Sequence, residues 1–146
     1  VALGAFFEAE LATGLGELLS RIRTSGEGDV WAAVAGGRIV GTVWMGDSMS
    51  KSKKDGGECD VRRAHLRAFI VDGCVRGRGV GRRLITEALG WADVTGYEEV
   101  ELWTFKGLDA ARKLYDGCGF VLREEMVSAM WGAELMVQHF VRERKS

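Results

Sequence analysis

The sequence predicts an α+β (mixed α/β) sandwich, and three observations predict it. The spacing of apolar residues switches repeatedly between about 3.6 and 2 along the chain, so helices and strands alternate. Two β-rich runs meet at Gly36-Gly37, a hairpin signal. A further apolar strand runs into a glycine- and arginine-rich segment, Val75 to Arg83, that opens an amphipathic helix. With 146 residues, 47% of them hydrophobic, the chain can bury one compact core and is too short for two ordinary domains, so a single domain over residues 1–146 is expected.

The first element is a helix. From Phe6 to Ile22, the residues Phe7, Leu11, Leu15, Leu18, Leu19 and Ile22 recur at three- and four-residue steps. Val30 to Ala35 and Arg38 to Met45 are strands, joined by glycines that accept the positive φ of a primed turn. Asp47 to Asp60 is rich in Ser, Lys, Gly and Asp and is expected to be a mobile loop. Ala64 to Val71 is a third strand, with Leu66, Ala68 and Ile70 on one face and His65, Arg67, Phe69 and Val71 on the other. Val80 to Ala92 is a helix whose apolar side holds Val80, Leu84, Ile85, Ala88, Leu89 and Trp91, with Arg83 and Glu87 spaced as an i,i+4 pair and Gly96 as its stop. In Glu98 to Thr104, Val100, Leu102 and Thr104 alternate with Glu101 and Trp103, which marks a strand. Asp109 is the expected cap of a short helix from Ala110 to Asp116, closed by Gly117 or Gly119. Phe120 to Ala129 and Glu134 to Val141 are the last two strands.

A net charge of -1 gives no global reason to expect nucleic acid or an anionic membrane as partner. No apolar run approaches the roughly 18 residues of a membrane span. Cys59, Cys74 and Cys118 are odd in number and lack C-x-x-C spacing, and only His65 and His139 could join them as ligands. Neither a disulfide framework nor a metal site is indicated, and a cytoplasmic setting is expected.

The positive charge is local. Arg76, Arg78, Arg82 and Arg83 surround Gly77, Gly79 and Gly81. Glycines let backbone N–H groups approach a ligand, the following helix presents its unpaired N-terminal amides, and arginines add full charge. A pyrophosphate fits such a cradle. The P-loop pattern is excluded, because no Lys-Ser or Lys-Thr follows these glycines. The dinucleotide fingerprint is weakened, because its third glycine position holds Arg82, although Glu101 lies at a suitable distance for a ribose contact.

Arg76-Gly77-Arg78-Gly79-Val80-Gly81 matches R-x-x-G-x-G, and Ala111 to Phe120 matches A-x-x-x-Y-x-x-x-G-F about 35 residues later. With the strand His65 to Val71 and the strand Glu101 to Thr104 between them, this order resembles the GNAT N-acetyltransferases. The tail from Trp131-Gly132 to Phe140 resembles acetyltransferase domains fused to MarR-type winged-helix regulators. The resemblance implies a three-layer sandwich with a central mixed sheet of six to seven strands and helices on both faces. It implies acetyl-CoA as cosubstrate, held by Phe69, Ile70 and Val71 at the pantetheine and by Arg76, Gly77, Arg78, Gly79, Val80, Gly81 and Arg82 at the pyrophosphate. Asp72-Gly73 and Leu108 depart from the proline and asparagine that many members carry there.

The implied activity is N-acetyl transfer by direct attack of a small-molecule or protein primary amine. Such chemistry needs a carbonyl-polarising donor, a base and an acid. A backbone N–H near Ile70 is the candidate donor, since a bulged strand can turn it inward, and Tyr115 is the candidate acid. No base stands out. Glu101 and His65 lie on the two strands expected to flank the acetyl group; Glu101 is taken as the catalytic candidate, although the reference pKa of His65, about 6.5, suits a base better. Glu58, Asp60 and Glu125 are reachable only if loops fold over. Cys118, between two glycines, reads as a packing residue, and Trp31, Trp44, Trp103 and Trp131 read as core, with Trp103 or Trp131 available as an acceptor-pocket wall. Two other readings stay open: a non-catalytic acyl-CoA-binding sensor and a nucleotide-dependent oxidoreductase. A homodimer is also left open.

Overall fold

The structure, a computed structural model, describes residues 28–48, 52–54, 57–75, 77–129 and 134–144. The expected helix over Phe6 to Ile22 lies outside the described residues. Gly36 and Gly37 both take positive φ, 57° and 76°, and reverse the chain between β1 (Gly28–Ala35) and β2 (Arg38–Asp47) as a primed turn requires. There follow β3 (Ser52–Lys54), β4 (Gly57–Cys59), β5 (Arg63–Val71), α1 (Val80–Thr95), β6 (Glu99–Phe105), α2 (Asp109–Gly117), β7 (Val121–Ser128) and β8 (Leu135–Glu143).

Six strands form one sheet in the order β1-β2-β5-β6-β8-β7. Neighbours are antiparallel except β5 and β6, which run parallel and are joined by the crossover helix α1. The pleat sorts the side chains. Met45, Leu66, Val100, Leu102 and Phe140 form one buried cluster with Leu84, Ile85, Ala88 and Leu89 of α1 and Tyr115 of α2. Both described helices therefore cover the same face. Trp44, Arg67, Glu101, Trp103 and His139 belong to the opposite face by alternation and by cross-strand register. Two parallel N–H···O contacts of 3.0 Å from Arg142 to Asp93 tie β8 to α1.

The segment from Asp47 to Asp60 departs from the expected loop, because β3 and β4 pair there as a short antiparallel hairpin. Lys53 stands opposite Glu58 in that backbone register, so the chain forms a ladder there although apolar residues are few. Leu108, not Asp109, holds the N-cap position of α2; Asp109 is a first-turn residue there, where its charge complements the helix dipole. Gly119, with φ of 92°, follows the helix, while Gly117 remains within it.

The largest departure is in β5. Ala68 has φ of +48°, the one non-glycine positive φ among the described residues. Trp44 pairs with Arg67 but Thr42 with Ile70, so the single residue Val43 faces both Ala68 and Phe69. That is a β-bulge, and the Thr42 hydroxyl fixes it by donating to the Ala68 carbonyl at 3.0 Å. A bulge inverts the alternation beyond it. Phe69 and Val71 consequently join Leu66 on the helix face, packed against the core, and the face assignment expected from a regular strand fails from Ala68 onward.

Helix α1 lies close to β2 through Gly41. A Cβ there would sit 2.9 Å from Leu84 Cδ1 and 3.3 Å from the Ile70 carbonyl oxygen. Gly41→Ala is expected to lower stability by about 1–3 kcal/mol in chemical denaturation, because the added Cβ must push the Leu84 methyl of α1 aside while it presses on the Ile70 carbonyl of β5.

Candidate active site

β5 and β6 pair only from Arg63, Ala64 and His65 to Glu99, Val100 and Glu101. Beyond those pairs β5 continues to Val71 and β6 to Phe105 without a shared ladder, so the sheet forks at its centre. The bulge lies just past the fork. Among the described residues no strand lies against the edge of β5 that faces β6 from Leu66 onward, which leaves backbone groups able to bond an extended ligand arm.

At the mouth of the fork on the helix face is the glycine cradle. A short 3-10 turn, Gly73–Val75, leads into it. Gly77 and Gly79 take φ of 80° and 78°, a backbone conformation that disfavours any residue with a Cβ. Gly79 is the N-cap of the 16-residue α1; among the described residues no side chain caps the helix, and no acid stands in its first turn. Its amides and dipole are thus open to an external anion. Gly81 lets the first turn press on β5, since a Cβ there would meet Phe69 Cζ at 3.2 Å and Val71 Cγ2 at 3.4 Å. Arg78 and Arg82 are exposed beside the cradle, and Arg76 lies outside the described residues. The geometry suits a diphosphate.

Tyr115 of α2 is buried under the fork at 5% exposure. Its ring lies 6.2 Å from that of Phe69, 5.9 Å from Phe120 and 6.1 Å from Phe140. Desolvation pushes its phenol up to about 12, so it stays protonated through the neutral range and keeps an O–H to donate. Phe69, through the bulge, joins the cradle to Tyr115.

The opposite face of the fork is polar. Arg63 donates to Glu99 Oε2 from Nε at 3.0 Å and from Nη2 at 2.8 Å, and to Glu101 Oε2 from Nη1 at 2.7 Å. All three side chains are buried. His139 of β8 approaches Glu101 Oε2 with Nε2 at 3.6 Å, and that buried nitrogen has no hydrogen-bond partner among the described residues. Its ring stacks on Trp103, with centroids 4.2 Å apart. Trp103 is 40% exposed and walls the opening, whereas Trp44 is buried beneath the Arg67 guanidinium, whose Cζ lies 4.9 Å from the ring centroid.

Of the other residues considered as bases, His65 is half-buried on β5 opposite Glu101. Glu125 is two strands from the fork on β7 and accepts from Gln138 Nε2 at 2.8 Å. Asp60 is exposed ahead of β5. The side chain of Glu58 and all of Trp131 lie outside the described residues. Cys118 is half-buried, and burial raises its thiol, which suits packing rather than nucleophilic attack.

Residues 3–120 match the model of the Acetyltransferase (GNAT) family. The chain belongs to the GNAT family. It is 32% identical over 90 residues to N-acetylaspartate synthetase of Danio rerio, a match that covers 62% of this chain and 28% of that protein. The chain thus spans under a third of that curated relative. The GNAT fold recurs in ribosomal-protein-alanine N-acetyltransferase from Brucella melitensis, with a TM-score of 0.70 and 19% identity, covering 90% of this chain and 78% of that one. It recurs also in Arabidopsis thaliana NAA60 in complex with acetyl-CoA, with a TM-score of 0.65 and 19% identity over 79% of this chain and 76% of the other.

The glycine turn and Tyr115, both singled out in the sequence, lie on either side of Phe69 in the structure, and the proximity of His139 to Glu101 was missed. The register that pairs His139 with Trp103 brings it there, and no local pattern carries that register. Tyr97, the second of the chain's two tyrosines, is also raised, first by burial and then by the Asp47 carboxylate. A near-ultraviolet titration of the folded GNAT domain is therefore expected to show tyrosinate forming at higher pH than in the unfolded chain, which ionises near its reference value of about 10. Because the folded value of Tyr115 is the higher, its contribution to stability is full below about pH 10 and is lost as pH rises towards about 12. Ionisation of a tyrosine at neutral pH would contradict the burial.

Proposed function

We propose that this GNAT domain is an acetyl-CoA-dependent N-acetyltransferase that passes the acetyl group to a primary amine by direct attack. The observation that carries the reading is the forked sheet, with an anion cradle and a buried phenol on one face and a polar cluster on the other. Acetyl-CoA fits it in length and charge: the diphosphate on the amides of Gly77 to Arg82 with Arg76 and Arg78, and the pantetheine along the free edge of Phe69, Ile70 and Val71. Solved relatives that hold CoA or acetyl-CoA support the same cosubstrate.

Each step then has a group. The backbone N–H near Ile70, turned by the bulge, hydrogen-bonds the thioester oxygen and stabilises the charge that develops there. The amine nitrogen bonds to the carbonyl carbon as the C–S bond breaks. Tyr115 donates to the departing sulfur on the helix face; with its phenol near 12 it serves first as a hydrogen-bond donor and only then as a proton source. The acceptor ammonium gives one proton to Glu101, with His139 beside it, before attack. The second leaves the nitrogen for solvent as the amide forms, and solvent returns a proton to Tyr115 once it has protonated the thiolate. Since the cradle and Tyr115 occupy the helix face, the acceptor approaches from the opposite face.

A second reading, an acyl-CoA-binding sensor without catalysis, rests on the burial of Glu101 in its pair with Arg63, which leaves the base engaged. The resemblance of the tail to domains fused to MarR-type regulators belongs to this proposal, and a full-length sequence without a winged-helix segment would remove it. A cytoplasmic setting is part of the same proposal, in keeping with three cysteines that lack C-x-x-C spacing.

Release of free thiol from acetyl-CoA with a panel of amines tests the enzyme against the sensor. Tyr115→Phe is expected to lower turnover about 10²-fold while the calorimetric affinity for acetyl-CoA is kept; an unchanged rate would remove Tyr115 from the mechanism. Arg76→Glu is expected to raise the KM for acetyl-CoA about tenfold or more, since it reverses a charge beside the diphosphate. An unaffected KM would argue against the cradle.

A further inference from the structure

We infer that Arg67 selects the acceptor, and that the acceptor is a small primary amine bearing a carboxylate. The inference rests on the transfer reading above and names the substrate class of that same site. Arg67 precedes the bulge residue by one position and belongs to the face from which the amine approaches. It is exposed, yet its guanidinium is held in place by the Trp44 ring, its register partner, which is 1% exposed and fixed in the core. A stacked guanidinium keeps its in-plane N–H edges free for bidentate bonding.

The neighbouring arginine on this face, Arg63, is already bound to Glu99 and Glu101. Among the described residues no carboxylate bonds to Arg67. It is a positioned cation beside the fork, facing an opening whose other wall is Trp103 on β6, half-exposed and backed by His139. From Arg67 to Ile70 the chain advances by about 7–10 Å, a span that the arginine side chain and a compact amino acid cover together. The ammonium end then lies towards the carboxylates of β6 and the carboxylate end towards β5. A single guanidinium matches one negative charge. A phosphate monoester, with a charge of about −1.5 to −2, would bring surplus charge near Glu99 and Glu101.

The test uses the whole chain and initial rates of thiol release with amino acids, their primary amides, simple alkylamines, O-phosphoethanolamine, and peptides whose carboxylates lie far from the amine. The expected result is that amino acids exceed their amides in kcat/KM by about ten- to a hundredfold. Arg67→Gln is expected to erase that difference by raising the KM for amino acids alone, leaving the KM for acetyl-CoA and the rate with amides unchanged; Arg67→Lys restores part of it. Thermal melts of both variants confirm that an exposed substitution leaves the fold intact.

Equal rates for acids and amides would overturn the inference and leave the transferase reading standing, as would a preference for the phosphorylated amine or for the peptides. A change in the KM for acetyl-CoA on Arg67→Gln would place Arg67 on the cosubstrate instead. If acetyl-CoA binds by calorimetry but no amine is acetylated, the transferase reading fails and the inference with it.

Discussion

The bulge at Ala68, fixed by the hydrogen bond from Thr42 Oγ1 to its carbonyl, is the constraint on which the functional geometry depends. Two parallel strands in the middle of a sheet would ordinarily pair along their length and bury every backbone group between them. Here the extra residue bends β5 just beyond the last pair with β6, and the sheet opens where its core is densest. The inverted alternation then sends Phe69 and Val71 towards α1, whose first turn can receive them because Gly81 has no Cβ. One irregularity in a strand thus places a cleft, seats a helix N-terminus at its mouth and brings Tyr115 beneath it through Phe69. A non-glycine residue with positive φ is strained, and such strain persists only where surrounding packing enforces it.

The base of the fork is packed by Ala64 and Val100 on the helix face and held by charge on the opposite face. Arg63 bridges Glu99 and Glu101 where β5 and β6 still pair, so the closed end of the cleft is clamped across the strands that separate above it. A buried cluster of this kind adds little net stability over an apolar one, but loss of one member leaves an uncompensated charge and costs about 3–5 kcal/mol. Its value is positional. It fixes the Glu101 carboxylate near His139 and prevents β6 from sliding along β5, which would close the opening.

Much of this was legible in the residues, and the failures have physical causes. Gly36-Gly37, the apolar stripe of α1 and the alternation of β6 are local patterns, and each produced the element it announced. The cradle was legible because only glycine accepts the backbone turns that expose amides, and because arginines cluster around it. The bulge was not, since alanine carries no signal for positive φ and the bulge is imposed by Thr42 on another strand. The pairing of Lys53 with Glu58 in a polar segment, and the approach of His139 to Glu101, likewise depend on register between residues that the sequence alone does not align.

The central claim is that an extended ligand with a diphosphate lies across the cradle and along the bulged half of β5. Backbone amide resonances recorded during titration with acetyl-CoA test it most directly. The account predicts large shifts confined to Phe69, Ile70 and Val71 and to Gly77 through Arg82, with β1 and β7 unmoved. Saturable binding that shifts other amides and leaves those two stretches unchanged would contradict it.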